Sequence, residues 1–234
     1  MRINKFLAKA GLGSRRSVEQ LVLDGKIKVN GKTITKLATK VDPDKDTVTY
    51  KGKRLSLPEK EVYIMLNKPP GYIVTADDPF NRKTVFELLP EFSLRIFPVG
   101  RLDKNSRGML FFTNNGKWAN RIIHPSKKIT KIYYVQVKGR ISQAAVKQLR
   151  SGVELNDFTT QPTRVFLRGY NKSQDLTKLK FYLSEGKKRQ IRRMIKHVGS
   201  SVVDLKRVRI GKVKLGNLPE GYWRYLTQKE INQF

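Results

Sequence analysis

Val99-Gly100-Arg101-Leu102-Asp103-Lys104-Asn105-Ser106-Arg107-Gly108-Met109-Leu110-Phe111-Phe112-Thr113-Asn114-Asn115-Gly116 is the stretch on which the reading of this chain turns. It sets one carboxylate in a polar loop and then runs into four consecutive apolar residues, Met109 to Phe112. A short apolar run bounded by turn residues predicts a buried strand. Catalytic groups concentrate on loops held by rigid strands. Taken alone, an Asp in such a loop is more often a turn former or an ion-pair partner.

Upstream, Val62 to Leu66 predicts another buried strand and Asn67-Lys68-Pro69-Pro70-Gly71 a turn. A strand over Tyr72 to Val74 and a short helix over Lys83 to Leu89, stopped by Pro90, follow. Downstream, Tyr133, Val135 and Val137 alternate and so share one face of a strand. Tyr133 sits at the start of that strand, open to either a pocket or the core. Ile191, Met194, Ile195 and Val198 form a helical apolar stripe. At about 100° per residue from Ile191, Arg189, Arg193 and Lys196 fall away from the stripe. Arg192 at about 100° and Lys188 at about 60° both fall near its border. A guanidinium at such a border can hold a carboxylate from a half-buried position. Periodicity does not choose between Arg192 and Lys188.

Composition narrows the function classes. The 234 residues carry 49 Lys+Arg against 19 Asp+Glu, a formal net charge of +30. Solubility of a small domain needs only about 2–8, and a phosphate backbone is the common partner that rewards a larger field. Hydrophobic residues make up 38%, enough for a packed core. The absence of cysteine removes disulfides, thiolate metal sites and thiol nucleophiles. With His124 and His197 the only histidines, zinc hydrolases and Ser-His-Asp hydrolases have little to work with. No apolar run approaches the roughly 20 residues of a membrane span, and the start of the chain lacks a signal-peptide stretch. The expectation is a cytoplasmic protein, without a membrane partner, that binds a polyanion.

Residues 1–60 hold 15 Lys+Arg and 6 Asp+Glu, and the rest hold 34 and 13, so both parts are basic. Ile3, Phe6, Leu7 and Ala10 predict a short amphipathic helix. Ser14 is an N-cap candidate for a second helix, with Val18, Leu21 and Val22 inward and Gly25 as its stop. Lys26 to Val29 alternates as a strand, and Asn30-Gly31 is a two-residue hairpin signal. Further strand follows through Val41 and Val48. Ser56-Leu57-Pro58-Glu59-Lys60-Glu61 reads as a linker.

Two resemblances add to this reading. Arg2-Ile3-Asn4-Lys5-Phe6-Leu7, Ser14-Arg15-Arg16 and Gly25 through Lys32 resemble the S4 RNA-binding module over about the first 50 residues. That likeness implies phosphate contacts from Arg15 and Arg16 at the opening of the second helix, where backbone N–H groups also favour anions. The Gly100-Arg101-Leu102-Asp103 stretch with Ser106, Gly108 and Thr113-Asn114-Asn115-Gly116 resembles the motif of one pseudouridine synthase family. This is the branch with the ribosomal small-subunit uridine synthase and the S4-bearing large-subunit synthases. Ser106 stands where the family usually has Thr, and Asn115 where Asp is common. Lys131-Ile132-Tyr133, Glu185 through Met194 and Leu205-Lys206-Arg207-Val208-Arg209-Ile210-Gly211 resemble three further family segments, in order.

The resemblance implies Asp103 as the catalytic carboxylate, Arg192 as its partner and Tyr133 against the base. Arg101 would fill the space of an extruded base, and Leu205 would pack beside the target. Lys187, Arg189 and Arg193 would grip phosphates. A carboxylate between Arg101 and Lys104 and facing Arg192 is expected to stay ionised. No metal or other cofactor is implied, and the expected partner is ribosomal RNA, bound by a monomer. The implied fold is α+β: a small S4 domain with linker over residues 1–60, and a catalytic domain over 61–234 with a mixed, largely antiparallel central sheet. Asp77-Asp78-Pro79 and Thr84 to Pro90 resemble the large-subunit (23S) type more than the small-subunit (16S) type, and that likeness implies a large-subunit target. A non-catalytic S4-type RNA-binding or ribosome-assembly protein and a DNA-binding protein are the competing readings.

Overall fold

A computed structural model describes all 234 residues. The chain divides into two compact units, Met1–Glu61 with Phe92–Ile96, and Val62–Glu91 with Phe97–Phe234. No helix is long and apolar enough to cross a membrane.

In the first unit, helices α1 (Ile3–Lys9) and α2 (Ser17–Leu23) pack on a small antiparallel sheet. Its strands β1 (Ile27–Val29), β2 (Lys32–Ile34), β3 (Val48–Tyr50) and β4 (Lys53–Arg54) lie in the order β2-β1-β3-β4. Ile3, Phe6 and Leu7 of α1 meet Val18 and Val22 of α2 and Ile27 and Val48 of the sheet. Val29 pairs with Lys32, and Asn30 and Gly31 between them both take positive φ, the turn that Asn-Gly favours. The Ser14 hydroxyl accepts from the Ser17 backbone N–H at 3.0 Å, as an N-cap would, although α2 begins only at Ser17.

The second unit is built on one mixed sheet. Its elements are β5 (Tyr63–Lys68), β6 (Phe97–Val99), β7 (Arg107–Thr113), α3 (Gly116–Ile123), β8 (Lys131–Lys138), α4 (Gln143–Ser151), β9 (Glu154–Leu155), β10 (Phe158–Thr159), β11 (Arg164–Asn171), β12 (Leu176–Leu183), α5 (Gln190–His197), β13 (Val202–Ile210), β14 (Val213–Lys214), β15 (Trp223–Tyr225) and α6 (Gln228–Ile231). The strand order is β11-β12-β8-β13-β7-β5-β15, with β14 on β13 and β6 on β7. Every pairing is antiparallel except that of β13 with β7. That parallel contact is short, Lys206 with Arg107 and Arg207 with Gly108. Farther along β7, Phe111 to Thr113 pair with β6. β7 thus passes from β13 to β6, and the sheet opens there. The β6–β7 connection, residues 100–106, enters at this opening.

Two cores flank it. Val135 and Val137 of β8 with Leu179, Phe181 and Leu183 of β12 are covered by Val146 and Leu149 of α4 and by Ile191, Met194 and Ile195 of α5. Each buried aliphatic side chain of α5 contributes about 1.5–3 kcal/mol, which fixes the rotation of the helix. On the other side, Met109 and Phe111 of β7 meet Trp118 and Ile122 of α3. Beyond Arg107, every residue of β7 is buried, which explains its unbroken apolar run.

Three local expectations are corrected. Tyr72 to Val74 forms no strand and only Ile73 makes an isolated bridge, to Thr84, because Gly71 turns the chain toward the residue-104 loop. The segment after Lys83 is a single 3₁₀ turn, Val85–Leu88, closed by a Thr84–Glu87 capping box. Lys187, Lys188 and Arg189 precede α5: Arg189 takes φ 51, which breaks the helix on that side.

Candidate active site

The opening between β6 and β13 is a cavity of about 680 Å³. Its walls carry Arg101, Asp103, Tyr133, Leu205, Lys187 and Arg189, all of them residues singled out in the sequence. Cross-strand register makes the floor. Arg207 pairs with Tyr133 and Leu205 with Val135, so Tyr133, Leu205 and Arg207 stand on one face of β8 and β13. Leu102 and Leu183 add apolar wall beside them. A flat base has an aromatic ring and aliphatic neighbours to lie against.

Asp103 is held from three sides. The turn closes on itself, Ser106 N–H donating to the Asp103 carbonyl at 3.0 Å. Arg192, on the border of the α5 stripe, donates from Nη2 to the Asn105 carbonyl at 2.9 Å. Its Nε lies 3.8 Å from Asp103 Oδ2, an ion pair too long for a hydrogen bond. That Nε is buried without a hydrogen-bond partner. Arg192 therefore faces the acid while its Nη2 grips the loop and its Nη1 donates to the Val202 carbonyl of β13 at 3.4 Å. Lys188, the alternative left open by periodicity, stays in the exposed loop ahead of the helix.

The third support is Lys68, which the sequence reading placed in a turn and gave no role. It ends β5 and its side chain is 0% exposed. Its ammonium donates to the carbonyls of Pro69 at 2.8 Å, Lys104 at 3.1 Å and Ser106 at 2.9 Å. Gly71 N–H adds a bond to the Lys104 carbonyl at 2.9 Å. One charged amine thus ties the two ends of the residue 104–106 turn beneath the carboxylate. The signal in the sequence was a lysine following an apolar run and preceding Pro-Pro-Gly, where no donor reaches water once the strand is buried.

Burial pushes the Lys68 amine down to about 8, against the pull of Asp103 and Glu220. The folded value is below the ordinary lysine value, so between about 8 and the ordinary value the unfolded chain binds more protons. This group's contribution to stability therefore rises with pH in that window. Activity has the opposite sign, because deprotonation removes the charge and one of the three N–H donors that hold the turn carrying Asp103. We expect kcat/KM to fall as pH rises through about 8. A profile flat to pH 10, measured with initial rates, contradicts this support.

The other expected residues are placed as follows. Arg101 is exposed at the cavity wall. Arg193 is ion-paired with Asp157 and lies 5.0 Å from the Phe158 ring centroid, so its guanidinium is held by the β9–β10 hairpin. Lys187 lies over the same ring at 5.6 Å. Glu185, the other acid of the wall, accepts from Gln161 N–H at 3.0 Å and from the Gln190 amide at 2.5 Å. Asn115 caps α3 by accepting from Lys117 N–H at 2.9 Å and Trp118 N–H at 3.1 Å, work an Asp would do equally. Arg15 and Arg16 are exposed immediately ahead of α2.

Such a site is a basic crevice that sets the Asp103 carboxylate beside an aromatic and aliphatic floor. Comparison with known proteins gives that class a name. The family model described as RNA pseudouridylate synthase matches residues 62–197, and the S4 domain model matches residues 1–48. The chain belongs to the RNA pseudouridylate synthase family. A protein of Aquifex aeolicus (strain VF5) named as an uncharacterized RNA pseudouridine synthase is 42% identical over all of this chain and 93% of its own length. Ribosomal large subunit pseudouridine synthase B of Bacillus subtilis (strain 168) is 36% identical, over 99% of this chain and 94% of its own. A crystal structure of a pseudouridylate synthase superposes with a TM-score of 0.72 at 27% identity, covering 100% of this chain and 99% of that one.

Proposed function

We propose that this enzyme isomerises a specific uridine of large-subunit ribosomal RNA to pseudouridine. The convergence of Asp103, Tyr133 and Leu205 on one cavity, with Arg192 paired to Asp103, carries the reading. In the reaction the C1′–N1 bond breaks, the uracil turns, and a C1′–C5 bond forms. The hydrogen on C5 leaves as a proton and N1 gains one. Asp103 serves as nucleophile or general base beside the sugar–base bond. Arg192 fixes the carboxylate and the turn that bears it. Tyr133 and Leu205 keep the detached base from escaping. A base inside a helix must be extruded to reach this carboxylate, and Arg101, two residues before the acid, fills the space it leaves.

The S4 module, with Arg15 and Arg16, and the Lys187–Arg189 loop would hold the RNA backbone, giving steeply salt-dependent affinity. The enzyme would act in the cytoplasm as a monomer, and the isomerisation asks for no metal or cofactor beside the Asp103 carboxylate. The large-subunit target is supported by the 36% identity to the Bacillus subtilis enzyme of that name. Mapping pseudouridine across both ribosomal RNAs, with and without this protein, tests the target. Loss of one large-subunit pseudouridine is expected. Loss in the small-subunit RNA would reassign the substrate, and an unchanged map would leave the RNA-binding roles without the chemistry.

A further inference from the structure

Three cations of the cavity have no part in the chemistry above: the exposed Lys128, and Lys131 and Arg207 on the sheet that forms its floor. Lys131 opens β8 on the same face as Tyr133. It pairs with Leu183 of β12 on one side and Ile210 of β13 on the other, and all three line the cavity. Arg207 stands directly across from Tyr133 and is only 5% exposed. Its Nε donates to the Met109 carbonyl at 2.7 Å, and its Nη2 is buried with no hydrogen-bond partner.

Neither residue makes an ion pair. The two acids of the cavity wall are engaged elsewhere, Asp103 by Arg192 and Glu185 by Gln161 and Gln190. The two cations are close enough to repel, and burial together with Arg207 holds the Lys131 amine down at about 8. An uncompensated buried charge is costly, and two side by side more so. A buried guanidinium nitrogen left without an acceptor calls for a partner that is absent from the free fold.

We infer that Lys131 and Arg207 form an anion site that takes a phosphodiester of the same nucleotide whose base lies on Tyr133. This rests on the reading of the cavity as the seat of an extruded uridine. The chemistry follows from position. Both cations neighbour Tyr133 in the sheet, one two residues along its own strand and one directly across from it, so an anion bound there lies beside the stacked base. Arginine and lysine with free N–H groups match phosphate oxygens. The site would fix which way the sugar enters, and so present the C1′ side of the uridine to Asp103. The phosphate could lie 5′ or 3′ of the target, and both sources share this chemistry.

Binding of uridine, uridine 5′-monophosphate and uridine 3′-monophosphate to the full-length Asp103→Asn protein tests the site by calorimetry, with no turnover required. One monophosphate is expected to bind about 10- to 100-fold more tightly than uridine, the range of one or two charge-assisted hydrogen bonds. Which of the two gains identifies the linkage. In the Lys131→Met background that gain should disappear, and in Lys131→Arg it should persist. Lys131 is half-buried at a strand end, so its replacement leaves the core of the sheet intact. Equal binding of uridine and both monophosphates, or a gain that survives Lys131→Met, overturns the proposal. Failure of the isomerase reading would show instead as an unchanged pseudouridine map, whatever the monophosphates do.

Discussion

Asp103→Asn is expected to lower pseudouridine formation about 1,000-fold or more, with RNA affinity retained or slightly increased. The substitution keeps the shape of the side chain and removes the charge that the chemistry needs. The fold should tolerate it. The Asp103 carboxylate is half-exposed and its one ion pair, at 3.8 Å, is loose, so its loss should cost no more than about 1 kcal/mol. The loop is positioned by other contacts, from Lys68 and Arg192 to the backbone at residues 104–106. Binding depends on cations, and the change removes one negative charge from the cavity. Pseudouridine quantified after digestion of treated RNA, beside filter binding of the same protein, separates the two effects. Activity lost in step with affinity would assign Asp103 to binding instead.

Gly108→Ala is expected to destabilise the second unit by about 4 kcal/mol, combining overpacking with backbone strain. Gly108 takes φ +103, and a Cβ there would lie 2.2 Å from the Arg207 carbonyl oxygen and 2.8 Å from its nitrogen. Both are backbone atoms of the strand paired with it, so a side-chain rotation does not relieve the clash. This is the short parallel contact that joins the halves of the sheet beneath the cavity. Arg107, next in the chain, clips the same contact by a bidentate pair with Asp204 at 2.7 Å. For a chain of this size the loss corresponds to a drop in Tm of about 10 °C. A melting curve moved by less than about 2 °C would mean that β7 and β13 can separate without consequence.

These two residues also mark what the sequence could reveal. Asp103 was legible through its surroundings, a polar loop ahead of four apolar residues, and through the resemblance of that stretch to a family motif. The pairing of Arg192 with Asp103 was half legible. Periodicity placed Arg192 at the border of the α5 stripe, but it placed Lys188 there too. The left-handed turn at Arg189, which removes Lys188 from the helix, leaves no mark in an apolar count. Gly108 carried no visible reason, because the atom it must avoid belongs to a strand about 100 residues away. Lys68 was hidden for a related reason: its acceptors are backbone carbonyls, which every sequence has. The N-terminal module was read almost entirely from local signals, since its helices and its Asn30-Gly31 hairpin are set by neighbours within a few residues.

The central claim is that a single carboxylate, seated where the sheet opens, drives exchange of the sugar bond from N1 to C5. Release of tritium from 5-tritiated uridine in ribosomal RNA tests it most directly, because only attack through C5 frees that hydrogen. The account predicts release up to one equivalent per modified site with the unaltered protein and none with Asp103→Asn. No release from the unaltered protein on either ribosomal RNA, or equal release from the Asp103→Asn variant, would contradict it.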